Sequence, residues 1–192
     1  MTRVRYALAL AVASVSVLAT TACSSEDTGK PVVVVTTNIL GDVVENVVGD
    51  EVEVRTLMKP NADPHSFEVS AQDGAMMRQA DLIVTNGLGL EEGLQQHIDG
   101  AAEEDVPLLA AGELIEALDY TEGDATGSAD PHFWTDPGLM VTVVDEIEKR
   151  ALGFDGVDTA AITASADAYR AELTDLDTTM SESFAAIPEE EM

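Results

Sequence analysis

Basic side chains are scarce in this sequence. Lys and Arg together number 9 against 37 Asp and Glu, which gives a formal net charge of −28 over 192 residues. Binding nucleic acid through its phosphates requires clustered Lys and Arg, so this composition excludes that class of protein and argues against docking on an anionic lipid surface. A negative field raises the local concentration of cations, although an acidic surface can also serve only solubility or adaptation to salt.

Cysteine is nearly absent too, since Cys23 is the sole example, and an intrachain disulfide is therefore excluded. Two arginines, Arg3 and Arg5, precede an apolar stretch over 6–19, and small residues lead directly to Cys23. This order predicts a secretory signal peptide that is too short to span a membrane.

The position of Cys23 sets the expected processing. A cysteine immediately after the small residues predicts cleavage after residue 22 and lipidation of Cys23, although an ordinary signal peptide with an incidental cysteine is the alternative. Residues 23–30 are polar and predict a tether between the lipid and the first strand. The expected location is outside the cytoplasm, anchored to the bacterial membrane.

Signatures of catalysis and of nucleotide binding are missing as well. The sequence contains no His-Glu-x-x-His pair, no nucleophile motif and no general base that spacing identifies. The glycine-rich stretch 86–89 lacks the Lys and Ser/Thr of a phosphate-binding loop. The sequence therefore favours a binding protein over an enzyme.

Alternating periodicities predict an α/β lobe with a parallel, helix-flanked, four-stranded sheet. The predicted strands lie at 32–35, 52–58, 82–85 and 108–110. Four helices are predicted. The first has Asn38 as its cap and ends at Gly49, and the second is capped by Ser70 and runs through Ala80. The third covers 91–99, and the fourth begins at Asp136, with Pro137 in its first turn, and runs to about Leu152. We assign 31–152 to this lobe.

A long amphipathic helix is predicted from 159 to 186, within a C-terminal segment assigned to 153–192. Its apolar stripe comprises Ile162, Ala166, Tyr169, Leu173, Leu176, Met180, Phe184 and Ile187. At 1.5 Å per residue the helix would be about 42 Å long, more than the width of a small lobe. We interpret it as a connecting helix whose second domain lies outside this sequence.

Histidine is rare, with three residues, and two of them occupy the same tripeptide, Asp-Pro-His. His65 and His132 each lie in a predicted loop, where proline stiffens the chain and presents the imidazole. Neutral imidazole suits zinc, copper, iron or nickel, so both are candidate metal ligands, the alternative being two surface histidines. Asp63 and Asp130 could each orient the neighbouring ring or simply cap the turn.

Two histidines do not complete a zinc site, because such sites use at least three protein ligands. The third histidine, His97, lies in a stretch predicted to be a solvated helix, and we expect it not to be a ligand. A carboxylate could contribute, but spacing selects none of the 37. Phe133 and Trp134 are expected to pack between the loop and the sheet.

Four stretches resemble the solute-binding proteins of zinc and manganese ABC importers, the ZnuA- and TroA-like group. They are TTNILGDVVENVVGD, LMKPNADPHSFEVS, ADLIVTNGLGLE and DPHFWTDP, and the resemblance covers 31–191. It implies two α/β lobes joined by one long rigid helix, with the metal between the lobes. His65 and His132 match the ligands of the first lobe, and the remaining ligands would lie in a second lobe that this sequence does not reach.

The resemblance implies an extracytoplasmic component of an ABC importer that captures a divalent transition metal and delivers it to the membrane permease. Zinc is favoured and manganese is next. Zinc members often carry a histidine-rich acidic loop before the second tripeptide, and the matching loop over 120–129 is acidic without histidine. A secreted zinc-dependent hydrolase and a metal-binding surface adhesin are the alternatives.

Overall fold

Four short parallel strands form the centre of the fold. The computed structural model describes residues 29–188, so the predicted signal peptide and Cys23 lie outside the described residues. The strands are β1 (Val32–Val35), β2 (Glu53–Thr56), β3 (Leu82–Thr85) and β4 (Leu108–Ala110). The helices are α1 (Asn38–Val48), α2 (Ala71–Met77), α3 (Gln95–Ala102), α4 (Pro137–Ala151) and α5 (Thr159–Ala185).

The strand order is β2-β1-β3-β4, and each neighbouring pair is parallel. The central strands β1 and β3 are almost entirely buried because helices cover both faces of the sheet. This arrangement confirms the predicted sheet. The second strand is shorter than the predicted 52–58.

Successive side chains of β1 point into two separate cores. Val33 and Val35 pack with residues of α1, α4 and α5 on one face of the sheet. Val34 packs with residues of α2 and α3 on the other face. The lobe is therefore a three-layered α/β structure, and the loops at the carboxyl ends of its strands are free to form a site.

Capping residues set the helix boundaries. Ser70 and Asp73 form a reciprocal capping box at the start of α2, as Ser70 was predicted to do. Asp136 accepts hydrogen bonds from the first turn of α4, with Pro137 next, which confirms that start. Asn38 was the wrong cap for α1: the Thr37 side chain accepts from the Leu40 amide, and Asn38 is the first helical residue.

The long helix α5 is 27 residues, about 40 Å, but only its first half is packed. Ile162, Ala166 and Leu173 are buried against the lobe. Beyond them Leu176 is 49% exposed and Phe184 is 59% exposed. The predicted apolar stripe is present, but this lobe buries it only as far as Leu173.

Arg170 fixes the packed half of α5 to α4. Its guanidinium pairs with Glu148 and Asp145 of α4, and with Asp167 one turn earlier on α5. The hydrogen bond to Glu148, and to a smaller extent the one to Asp145, stabilises the charged guanidinium and so raises the pKa of Arg170. The helix therefore has a defined position on the lobe.

Within residues 29–188, no helix combines the length and the apolar character that crossing a membrane requires.

Candidate metal centre

His65 lies in the loop that follows β2, at the carboxyl edge of the sheet. The loop turns sharply after Asp63, whose carbonyl accepts hydrogen bonds from the amides of Ser66 and Phe67 at 3.2 and 3.0 Å. The Asp63 carboxylate also accepts from the His65 amide at 2.9 Å and from the Ser66 hydroxyl at 3.1 Å. These bonds hold the His65 backbone while its exposed side chain projects from the turn.

His132 lies immediately before a short 3-10 helix, Phe133–Thr135, which leads into α4. Its carbonyl accepts from the Thr135 hydroxyl at 2.9 Å and from the Thr135 amide at 3.2 Å. The next residue, Phe133, is 5% exposed and enters the core. The buried Phe133 thus fixes the segment from which the half-exposed His132 ring extends.

The fold brings the two predicted histidines together although 67 positions separate them in the chain. Nε2 of His65 lies 3.2 Å from Nε2 of His132, and the ring centroids are 5.2 Å apart. Two imidazoles on one tetrahedral zinc ion, with Zn–N bonds of about 2.0–2.1 Å, place their nitrogens about 3.3 Å apart. The observed separation therefore suits a shared ion with little movement of either ring.

The two aspartates of the tripeptides have different roles. Asp130 accepts from the His132 amide at 2.9 Å and also from His132 Nδ1 at 2.6 Å. Because a carboxylate only accepts, Nδ1 is the donor in this bond, and in a neutral imidazole this leaves the lone pair on Nε2, the nitrogen that faces His65. Asp63 instead contacts only the backbone amide of its histidine and the Ser66 hydroxyl, so it caps the turn.

Hydrogen bonds account for the acidity of both carboxyls. The His132 amide, followed by the His132 ring and the Tyr120 hydroxyl, holds the pKa of Asp130 below its usual value. The His65 amide, followed by the Ser66 hydroxyl, lowers the pKa of Asp63. Both carboxyls are therefore ionised at neutral pH and can serve as acceptors.

Tyr120 is a site residue that the sequence did not reveal. Its hydroxyl oxygen lies 3.3 Å from His132 Nδ1, and the hydroxyl donates to Asp130. Burial, together with the negative charge of Asp130, raises the pKa of Tyr120. An isolated antiparallel bridge between Asp119 and Ala129 brings Tyr120 back beside the second tripeptide. That bridge has no periodicity by which the sequence could have shown it.

Trp134 also packs against the His132 ring. The two ring centroids are 5.1 Å apart in an edge-on arrangement, and Trp134 is half-buried at the border of the core. The expected packing role of Phe133 and Trp134 is confirmed. Trp134 additionally limits the rotation of the His132 ring.

His97 lies on α3, and its ring packs against the backbone of α2 at Gly74. A Cβ atom added to Gly74 would lie 2.6 Å from His97 Nδ1, so the two groups are in close contact. His97 is therefore half-buried in a helix–helix contact, although the sequence predicted a solvated helix for this stretch. Its side chain makes no hydrogen bond to His65 or His132 among the described residues.

A third donor is not found beside the pair. Within the described part of the chain, no group of three His, Cys, Asp or Glu side chains could hold a metal ion. The site formed by residues 29–188 thus consists of two imidazole nitrogens, with Asp130 and Tyr120 behind one of them.

A four-stranded parallel sheet with flanking helices, a long C-terminal helix and two converging histidines defines a lobe of a metal-binding receptor. The family described as "Zinc-uptake complex component A periplasmic" (ZnuA) matches residues 33–192, and the chain belongs to this family.

Relatives and solved structures agree with that assignment. The chain is 30% identical to the iron-binding protein YfeA of Yersinia pestis, over 97% of this chain and 61% of that protein. It is 31% identical to the manganese-binding lipoprotein MntA of Halalkalibacterium halodurans, over 88% of this chain and 57% of that protein. The structure of the periplasmic zinc-binding protein TroA of Treponema pallidum superposes with a TM-score of 0.73 at 28% identity, over 83% of this chain and 57% of that chain.

The chain spans about three fifths of the length of these relatives, between 57% and 61%. The part of the chain that matches the family, residues 33–192, comprises nearly all of the sheet, both Asp-Pro-His loops and α5.

Proposed function

We propose that this chain captures a divalent transition metal outside the cytoplasm, as the solute-binding component of an ABC importer, and delivers it to the membrane permease. The 3.2 Å separation of the two Nε2 atoms carries the proposal. Two imidazoles that face each other at the spacing of tetrahedral ligands already have the geometry that binding requires. In this role the chain is a binding protein and not an enzyme.

Zinc is the favoured ion and manganese is next. Imidazole nitrogen is a borderline-soft donor that suits zinc, whereas carboxylate and water oxygens suit manganese. The names of the relatives cite iron, manganese and zinc in turn, so they do not distinguish the ions. We propose that the remaining ligands belong to a second lobe, and that these ligands decide selectivity.

The histidines provide the direct test. Replacing His65 or His132 by Ala should each weaken zinc binding by at least tenfold, because a site with few protein ligands loses much of its affinity with each one. His97→Ala is the matched control, since it removes a half-buried histidine that packs on α2.

Zinc affinity of the three variants is measured by competition with a chromophoric chelator, after circular dichroism has established that each is folded. A loss for His97→Ala equal to the other two would contradict the assignment of the ligands.

We further propose that Cys23 carries the lipid that anchors the protein to the membrane. Support comes from the order of basic, apolar and small residues before Cys23, and from relatives that are named lipoproteins. Cys23→Ser should leave the precursor unprocessed or release the protein into the aqueous phase of a detergent partition. Wild-type partitioning of the Cys23→Ser protein would argue against the anchor.

A further inference from the structure

A buried carboxylate lies beneath the metal centre. Glu91 is 4% exposed and, within residues 29–188, has no basic partner; instead it accepts three hydrogen bonds. The Thr36 hydroxyl and the Asn86 amide each donate to Oε1 at 2.6 Å, and the Gly87 amide donates to Oε2 at 3.1 Å. Thr36 directly follows β1 and Asn86 directly follows β3, so Glu91 connects the carboxyl ends of the two central strands.

Asn86 extends this network to the second histidine loop. Its side chain is fully buried, and Nδ2 donates to the Pro131 carbonyl at 3.0 Å and to the Gly87 carbonyl at 3.2 Å. Pro131 is the middle residue of the Asp-Pro-His tripeptide that presents His132. Among the described residues, no other side chain donates a hydrogen bond to the Pro131 carbonyl.

We propose that Asn86, held in place by Glu91, is a positioning residue that fixes His132 Nε2 opposite His65 Nε2 for metal capture. The inference rests on the proposed function. The Pro131 carbonyl belongs to the peptide unit that carries the His132 amide, so the bond from Asn86 fixes the plane from which the ring extends. The ring of Pro131 fixes the φ angle of that residue. The bond from Asn86 therefore holds the His132 loop in place relative to the sheet.

Because both histidine nitrogens must be placed accurately to bind one ion, a hydrogen bond that fixes the His132 loop is useful. His65 is carried by the loop after β2, and His132 by a loop that is attached to a different part of the lobe. Their separation must be maintained to within a few tenths of an ångström for both nitrogens to bind one ion. The network ties the His132 loop to β1 and β3, and β1 is bonded directly to β2.

The two donor bonds of Asn86 set the orientation of its amide. Its Oδ1 is buried and has no hydrogen-bond partner among the described residues. A buried acceptor without a partner destabilises the fold, so the amide is oriented for its two donor bonds at the expense of its own acceptor. Buried polar atoms without a hydrogen-bond partner are rare, and they are expected mainly at functional sites.

The test compares the intact wild-type chain with Asn86→Asp, which keeps the volume of the side chain and removes the two donor hydrogens. Asn46→Asp is the chemically matched control, because the Asn46 side chain also donates to a backbone carbonyl, but on the exposed surface of α1. Val143→Ala, a buried truncation in α4, is the control for lost stability. His132→Ala is the reference for a lost ligand.

Zinc affinity by chelator competition and the visible absorption spectrum of bound Co²⁺ are the two readouts. We expect Asn86→Asp to weaken zinc binding by about tenfold or more and to change the Co²⁺ spectrum, as loss of a group that orients a ligand does. Both controls should keep the wild-type spectrum, because a spectrum reports ligand geometry and not the free energy of unfolding. Glu91→Gln, which keeps volume and most hydrogen bonds, should change the spectrum in the same direction.

Two results would overturn the inference while the proposed function stands. In the first, Asn86→Asp and Glu91→Gln both keep the wild-type zinc affinity and Co²⁺ spectrum, while His132→Ala loses zinc binding. The other is an affinity loss that Val143→Ala reproduces without any spectral change. Should Asn86→Asp not fold, Glu91→Gln decides by the same criteria. A wild-type chain that binds neither ion would overturn the inference and the proposed function together.

Discussion

At the scale of single residues, two identical tripeptides have acquired different hydrogen bonds. Asp130 bonds both the backbone and the ring of its histidine, whereas Asp63 bonds the backbone of its histidine but not the ring. The difference arises from the environment of each loop. The half-exposed His132 ring contacts both Trp134 and Tyr120, while His65 is exposed. His132 is therefore the more rigidly held of the two candidate ligands.

This asymmetry predicts unequal effects of neutralising the two aspartates. Asp130→Asn should weaken zinc binding by about tenfold, because the carboxylate that fixes the Nδ1 proton and increases the basicity of the ring is removed. Asp63→Asn should change zinc affinity little, since Asn also caps turns of this kind. Chelator competition on both variants measures the difference, and equal losses would argue against distinct roles.

At the scale of secondary-structure elements, the contact between α2 and α3 depends on a glycine. Gly74 lies inside α2, where glycine normally costs about 0.5–1 kcal/mol relative to alanine. The His97 ring occupies the space that a Cβ of residue 74 would take, with Nδ1 at 2.6 Å and Cε1 at 2.9 Å. The absence of a side chain at residue 74 therefore permits the two helices to approach.

A double-mutant cycle tests this explanation. Gly74→Ala should not give the usual helix stabilisation, because the His97 ring must shift. In a His97→Ala background the same change should stabilise the protein by about 0.5–1 kcal/mol.

Urea unfolding measures the four free energies of the cycle, and zinc affinity should stay constant across it. Equal effects of Gly74→Ala in both backgrounds would mean that the ring does not restrict this position.

At the scale of the whole molecule, packing of α5 ends well before the helix does. Contacts with α1 and α4 bury its residues as far as Leu173, and Leu176 and Phe184 lie on the surface. An exposed helical segment has little stability of its own, because helix formation in proteins depends mainly on tertiary packing.

We therefore expect hydrogen exchange to divide α5 into two parts. Amides over 159–173 should be protected nearly as well as those of α4, and amides over 176–185 should exchange much faster. Mass spectrometry of peptides from each part measures the difference in the chain of 192 residues. Uniform protection along α5 would show that its distal half is covered, for example by a second copy of the chain.

Much of the fold was predictable from sequence because its determinants are local. The all-valine run of β1, the Ser70 cap and the Asp136-Pro137 start each depend on neighbours within a few residues, and all three are confirmed. Errors of one or two residues, such as Asn38 for Thr37 as a cap, occurred where two adjacent side chains could each serve.

The sequence by itself also selected His65 and His132, because a rare residue type recurring in one rigid tripeptide is a local signal. Only the tertiary structure decided that their Nε2 atoms lie 3.2 Å apart, that Asp130 but not Asp63 bonds a histidine ring, and that Tyr120 and Asn86 contact the second tripeptide. These contacts join residues that are distant in the chain and depend on which loops the sheet brings to one edge. Sequence periodicity records the spacing of residues along an element and carries no such information.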